Sequence, residues 1–235
     1  PTPTMVNGGV TNLTSPSPYK FVGNTQLKPE ISDTFELGLK GNDERLHYSA
    51  SIFRSKFKDF ISVEDVSGAG TVADPTIKQS VNLSGAKTQG FDVSLGYAFK
   101  PDWTVTAAYA HVRGNSIDKN GVSKPLDTIN PDKLVISLKY DKPNVYGAQA
   151  SLTAVESKKR NPDTTKYTPK GFAVLDLAGW YHFNKQTSLT AGLFNVFDKK
   201  YYLWADVRGV SSTSNVIEAY SQPGRNFAVS LKHQF

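Results

Sequence analysis

The chain has 235 residues, 38% of them hydrophobic and 11% aromatic, with 13 Phe, 11 Tyr and 3 Trp. A polar yet aromatic-rich composition fits neither a disordered tail nor an oily helical bundle, and no uncharged apolar run reaches the ~18 residues of a spanning helix. The net charge of +6 is scattered rather than clustered, which argues against nucleic acid as a partner, and the absence of Cys removes disulfides, thiolate metal sites and Cys nucleophiles.

Pro1-Thr2-Pro3-Thr4-Met5 has neither a basic start nor an apolar stretch, so the opening residues do not read as a signal peptide. From there the chain repeats one pattern: about ten residues of apolar/polar alternation, the signal of a half-buried strand, then a turn or a loop. Nine strands are predicted. The first carries Ile31, Phe35, Leu37 and Leu39 on one face, and the second Leu46, Tyr48, Ala50 and Ile52. The third has Phe91, Val93, Leu95, Tyr97 and Phe99; the fourth has Trp103, Val105, Ala107 and Tyr109. Leu134, Ile136, Leu138 and Tyr140 mark the fifth, and Tyr146, Ala148, Ala150 and Leu152 the sixth. The seventh shows Ala173, Leu175, Leu177, Tyr181 and Phe183, and the eighth Leu189, Ala191 and Leu193. The ninth runs through Phe227, Val229, Leu231 and His233 to Phe235.

Connections alternate between tight turns of Gly, Pro, Asn and Asp and long polar loops near residues 65–80, 113–130, 156–170 and 203–223. Such regularity fits a transmembrane antiparallel β-barrel, with short periplasmic turns and long extracellular loops. The opposite face is polar (Thr34, Glu36, Asp92, Thr106, Ser151, Ser230), and no amphipathic helix is available to cover the apolar one, so lipid is the simplest cover. Ten residues at ~3.3 Å each, tilted ~45°, rise roughly 23 Å, close to the ~25 Å apolar band of such barrels. Tyr97, Phe99, Trp103, Tyr140, Tyr146, Tyr181 and Phe183 cluster at the tight turns, where an interfacial aromatic girdle belongs.

Nine strands would start a barrel outside and finish it inside. The expectation is therefore the C-terminal part of a larger barrel, with residues 1–28 an extracellular loop segment and residues 29–235 its closing strands.

Three motifs carry a resemblance. Asn82-Leu83-Ser84-Gly85-Ala86-Lys87-Thr88-Gln89-Gly90-Phe91-Asp92, Asn195-Val196-Phe197-Asp198-Lys199-Lys200-Tyr201, and Gly224-Arg225-Asn226-Phe227 running to Phe235 resemble, in order, strands of TonB-dependent outer-membrane receptors. That resemblance implies a 22-stranded plugged barrel in the Gram-negative outer membrane, in contact with lipid and lipopolysaccharide. It also implies an N-terminal part, absent from this chain, that engages the TonB–ExbB–ExbD complex. The end of the chain resembles the assembly signal of such barrels.

Asn24-Thr25-Gln26-Leu27-Lys28-Pro29-Glu30 resembles the N-P-N-L box, with K-P-E after it, of the haem and haemoglobin receptors. Thr25 and Gln26 depart from that box, and L-K-P-E also occurs in siderophore receptors. The resemblance implies uptake of haem, free or taken from a haem-carrying protein, with an extracellular haem ligand, usually His, before the box. No His lies between Pro1 and Asn24. Tyr19 is then the expected axial ligand to haem iron, with Lys20 beside it and Asn24 completing the haem-binding set, and Met5 is a softer competitor. A ferric-siderophore receptor is the alternative within transport.

The alternative of another class is an outer-membrane barrel enzyme. Asp127, Asp132, Asp141 and Glu156 form no acid/base pairing, and Ser84 and Ser94 flank no nucleophile elbow, so no enzyme and no catalytic cofactor are expected. Lys158-Lys159-Arg160 reads as a solvated loop tip or a contact for lipopolysaccharide phosphates, with haem propionates or a carrier protein as the alternative contact. Tyr201, Tyr202 and Trp204 read as girdle residues, with an apolar haem contact as the alternative.

Overall fold

The structure, a computed structural model, describes residues 1–14 and 18–235. They form two compact units. One comprises Pro1–Phe35, Arg54–Gln89 and Arg113–Leu126, the other Glu36–Phe53, Gly90–Val112 and Asp127–Phe235.

All nine predicted strands are present among the described residues: β1 (Ile31–Asn42), β2 (Leu46–Lys58), β3 (Gly85–Lys100), β4 (Trp103–Ile117), β5 (Lys133–Lys142), β6 (Tyr146–Val155), β7 (Phe172–His182), β8 (Thr187–Phe194) and β9 (Asn226–His233). They share one sheet in sequence order from β1 to β9, and the short strand Ser123–Pro125 adds to β4. Three strands run longer than their apolar alternation: β2 continues to Lys58, β3 begins at Gly85 and β4 reaches Ile117. Backbone pairing there outlasts the apolar pattern, and charged side chains take over the same face.

Register converts the alternation into rows. Ala107 lies opposite Ile136, Ile136 opposite Leu152, and Leu152 opposite Leu175. Farther along, Leu189 pairs with Leu231 and Leu193 with Phe227. On the other face Thr106, Ser137, Ser151 and Asp176 form a polar row, in which the Ser137 and Ser151 hydroxyls lie 2.8 Å apart. A one-residue slip would exchange the two faces, so this arrangement is tightly specified. Leu37 is 61% exposed and Leu231 66%, whereas the buried apolar residues are only Ala86, Phe172, Val174, Trp204 and Val207 among those described. So extended an apolar face requires a nonaqueous cover.

The tight turns follow from residue type. Asp102 and Asn144 sit there at φ 66° and 61°, conformations that Asp and Asn tolerate better than most residues. Beside these turns the predicted girdle is a continuous chain of rings, from Phe99 through Trp103 and Tyr140 to Tyr146 at 5.1–6.2 Å between centroids. Tyr181 and Phe183 continue it, 5.0 Å apart.

One feature goes beyond the predicted elements. A second sheet joins Gly8–Asn12, Tyr19–Val22, Thr76–Asn82 and Ile61–Ser67 in that order, after a short helix at Pro3–Asn7. Residues 1–28 and 65–80 therefore contain secondary structure. Tyr19–Val22 is too short for its alternation to register, and its parallel partner Thr76–Asn82 lies far away in sequence.

Candidate functional site

Tyr19 opens its strand, pairing with Asn12 on one side and Thr76 on the other. It is half-buried, and its hydroxyl makes no hydrogen bond among the described residues. Alternation places Phe21 on the same face, together with Lys78, which lies opposite Phe21 and is paired to Asp65 at 2.5 Å.

The same alternation turns Lys20 to the opposite face. The arrangement expected from sequence, with Lys20 beside the Tyr19 oxygen, is not what the strand provides, because neighbouring residues in a strand point apart.

Asn24 acts as a fastener. Its Nδ2 donates to the Ser80 carbonyl at 2.9 Å, its Oδ1 accepts from the Gln26 N–H at 3.0 Å, and its own N–H donates to the Met5 carbonyl at 3.0 Å. The rest of the box behaves similarly. Lys28 N–H donates to Asn82 Oδ1 at 2.8 Å, and Glu30 Oε2 accepts from the Ile61 N–H at 3.0 Å. A Cβ on Gly23 would lie 2.2 Å from the Val6 carbonyl oxygen, so only glycine lets the helix and the strand end approach this closely. Asn24 and its neighbours thus hold the strand that presents Tyr19. Met5, the softer alternative, lies in the helix and contributes its carbonyl to Asn24.

A second cluster, within the other unit, joins three long connections. Trp204 is 4% exposed and donates from Nε1 to the Asp127 carbonyl at 2.5 Å. The Lys158 ammonium lies 4.5 Å from the centre of its ring and donates to the Ile129 carbonyl. Burial pushes the Lys158 pKa down, against a smaller opposing effect of Asp127. This corrects two sequence readings. Lys158 is a buried strut rather than a solvated tip, and Trp204 is a loop anchor rather than a girdle residue. Spacing alone could not reveal either, because the partners come from separate connections.

The Asn195-Val196-Phe197-Asp198 motif also has a structural task. Asn195 is 3% exposed; its Nδ2 donates to the Lys199 and Pro223 carbonyls, and its Oδ1 accepts from the Lys199 N–H. Asp198 Oδ1 accepts from the Arg225 N–H at 2.7 Å, so the motif buckles both ends of the last long connection. Tyr201 stacks on Phe172 at 4.2 Å, and Tyr167 meets Tyr202 at 5.5 Å. Burial raises the Tyr167 and Tyr201 pKa values, making them harder to ionise than ordinary phenols and poor anionic ligands. Among the described residues no group of three or more His, Asp and Glu side chains is placed to hold a metal ion.

Known proteins place this arrangement. Hemoglobin-binding protein A of Haemophilus influenzae is 28% identical over 92% of this chain, which covers 25% of that protein. Hemoglobin-haptoglobin utilization protein B of Neisseria meningitidis is 25% identical, again over 92% of this chain and 32% of the relative. Lactoferrin-binding protein A, also of Neisseria meningitidis, is 27% identical over 89% of this chain and 26% of its own length. The chain thus spans about a quarter to a third of these relatives. Among solved structures, the copper transporter OprC superposes with a TM-score of 0.76 at 23% identity, covering 91% of this chain and 33% of OprC. The ferric enterobactin receptor PfeA of Pseudomonas aeruginosa gives 0.68 at 24%, covering 93% and 33%; both likenesses bear on fold alone. Residues 2–196 match the family described as TonB dependent receptor-like, beta-barrel. The chain belongs to that family of TonB-dependent receptors and forms part of its β-barrel.

Proposed function

We propose that the full protein is a Gram-negative outer-membrane receptor that takes up haem, captured from a haem-carrying protein, with energy supplied by the TonB–ExbB–ExbD complex through its N-terminal part. The observation that carries this reading is the similarity, over nine-tenths of the chain, to proteins named for binding haemoglobin and its haptoglobin complex. The lactoferrin-binding relative extends the theme to iron held by a carrier protein.

In this reading residues 1–28 form an extracellular segment and residues 29–235 the closing strands. Tyr19 offers its oxygen to the haem iron. A ferric centre is hard and favours an oxygen anion, and its charge promotes loss of the phenolic proton from a side chain whose reference pKa is ~10. Asn24 keeps the strand end in place. Lys20, on the opposite face, serves a haem propionate or the carrier rather than the phenol.

The test is growth of an iron-starved host lacking its own haem receptors and carrying the full-length gene. Haemoglobin as sole iron source should support growth only with an intact TonB complex, and Tyr19→Phe should reduce it with receptor levels unchanged. Growth on ferric siderophore but not on haem or haemoglobin would replace this reading with the siderophore one.

A further inference from the structure

The apolar face changes character abruptly where β2, β3 and β4 outrun their apolar alternation. On β2 the positions after Leu46, Tyr48, Ala50 and Ile52 on that face are Arg54, Lys56 and Lys58. On β3, beyond Phe91, they are Gln89 and Lys87; on β4, beyond Tyr109 and His111, comes Arg113. Contacts on the polar face fix how these positions align. Ser51 Oγ donates to Asp92 Oδ1 at 2.6 Å, and the Ser49 and Ser94 hydroxyls lie 2.8 Å apart. Continuing that register puts Arg54 opposite Gln89 and Lys56 opposite Lys87. The Phe91 and His111 rings, 5.5 Å apart, bring Arg113 beside Gln89 on the other side.

Four of the five cations therefore occupy two adjoining rows, Arg54 with Arg113 and Lys56 with Lys87, and Lys58 follows in the next. All five are exposed, and none makes an ion pair among the described residues. Thr34 and Ser55, 2.9 Å apart, align Asp33 with Lys56, and it is the one carboxylate on these rows. Like charges facing each other, as Lys56 and Lys87 do, destabilise a sheet unless an anion lies between or over them.

Two further facts select the anion. The patch is local: on the same face, the positions just beyond the ends of β5 and β6, where their apolar runs stop, are acidic, Asp132 and Glu156. A general preference for basic residues at the rim would not produce that contrast. The depth also fits. Arg54 stands eight residues beyond Leu46 and Lys58 twelve, or roughly 19 Å and 28 Å along the membrane normal at ~3.3 Å per residue and ~45° tilt. The cations thus straddle the end of a ~25 Å apolar band on the side away from the tight turns.

We propose that Arg54, Lys56, Lys58, Lys87 and Arg113 form a binding site for a phosphorylated glycolipid of the outer leaflet, lipopolysaccharide through its lipid A phosphates. Its phosphates accept charge-assisted hydrogen bonds from the five side chains. The site rests on the apolar face being lipid-facing but is independent of what the receptor transports.

The test uses full-length receptor purified from outer membranes in mild detergent. Retained lipid A is quantified per receptor for the native protein, for Lys56→Gln/Lys87→Gln/Arg113→Gln, and for a control of equal charge change, Lys119→Gln/Lys170→Gln/Lys185→Gln. Native receptor and control should retain similar amounts, and the first triple variant at least tenfold less. Added lipopolysaccharide should raise the melting temperature of the native receptor, while dephosphorylated lipid A and inorganic phosphate should not. Equal lipid retention by both triple variants would overturn the site. So would equal stabilisation by dephosphorylated lipid A, saturation by inorganic phosphate, or complete loss of lipid on chelating divalent cations. Haem binding, measured on the same preparations, reports separately on the transport reading.

Discussion

Trp204 joins three long connections, so removing its ring should loosen all three together. Trp204→Ala takes away a side chain that is 4% exposed, and the cost of such truncations is about 3–5 kcal/mol. The lost bond to the Asp127 carbonyl belongs within that figure. The Lys158 ammonium loses the ring face beneath it, an interaction worth up to ~2 kcal/mol where water is excluded, and remains buried with a single carbonyl partner. Trp204→Phe keeps most of the ring and deletes only the N–H donor, so it should cost nearer ~1 kcal/mol. The assay is limited proteolysis of the folded full-length receptor, with hydrogen exchange read over residues 118–132, 156–171 and 195–225. Trp204→Ala should make all three regions exchange and cleave faster while the strand amides stay protected. Phe197→Ala, at a 75% exposed position in the same connection, should change little. Loosening of residues 195–225 alone would refute the interlock.

Ile136→Arg and Val135→Arg differ by one position but by a whole face. Opposite Ala107 and Leu152, Ile136→Arg should cost roughly 2–4 kcal/mol near the membrane midplane, and Val135→Arg, on the polar face, much less, read by denaturant titration in lipid vesicles. In the last long connection Glu218 accepts from Lys200 and from the Tyr202 hydroxyl, which lowers its pKa below 4.5, while the same carboxylate raises that of Lys200 above 10.5. The Glu218 contribution is present above pH 4.5 and lost as pH falls through its lowered folded pKa; the Lys200 contribution is present below pH 10.5 and lost as pH rises through its raised folded pKa. Amide protection around Ile217–Tyr220, corrected for the intrinsic pH dependence of exchange, should therefore be greatest between those limits, and Lys200→Met should flatten the profile.

The wall was legible in the sequence because its physics is local and periodic. Leu134, Ile136, Leu138 and Tyr140 announce a strand, its face and its end at the Lys142-Pro143-Asn144 turn without reference to any other residue. The loops were not legible, because their partners are remote. Trp204 resembles any aromatic at a strand exit until Asp127 and Lys158 are seen beneath and beside it. Lys158 looks like its solvated neighbour Lys159, yet one is buried and the other exposed. At the candidate site Tyr19 stands out only by elimination within a resemblance. Asn24 stood out as part of a motif, but its work as a fastener depends on Ser80, 56 residues away. The basic rows were hidden for a different reason: scattered cations look random until register sets Lys56 against Lys87.

The most direct test of the receptor's proposed role is a haem titration of the purified full-length protein, followed by absorbance and compared with Tyr19→Phe. Saturable binding with a phenolate charge-transfer band in the native receptor, and loss of that band with weaker affinity in Tyr19→Phe at unchanged melting temperature, is the predicted result. A native receptor that does not bind haem, or a Phe variant with the native spectrum and affinity, would contradict it.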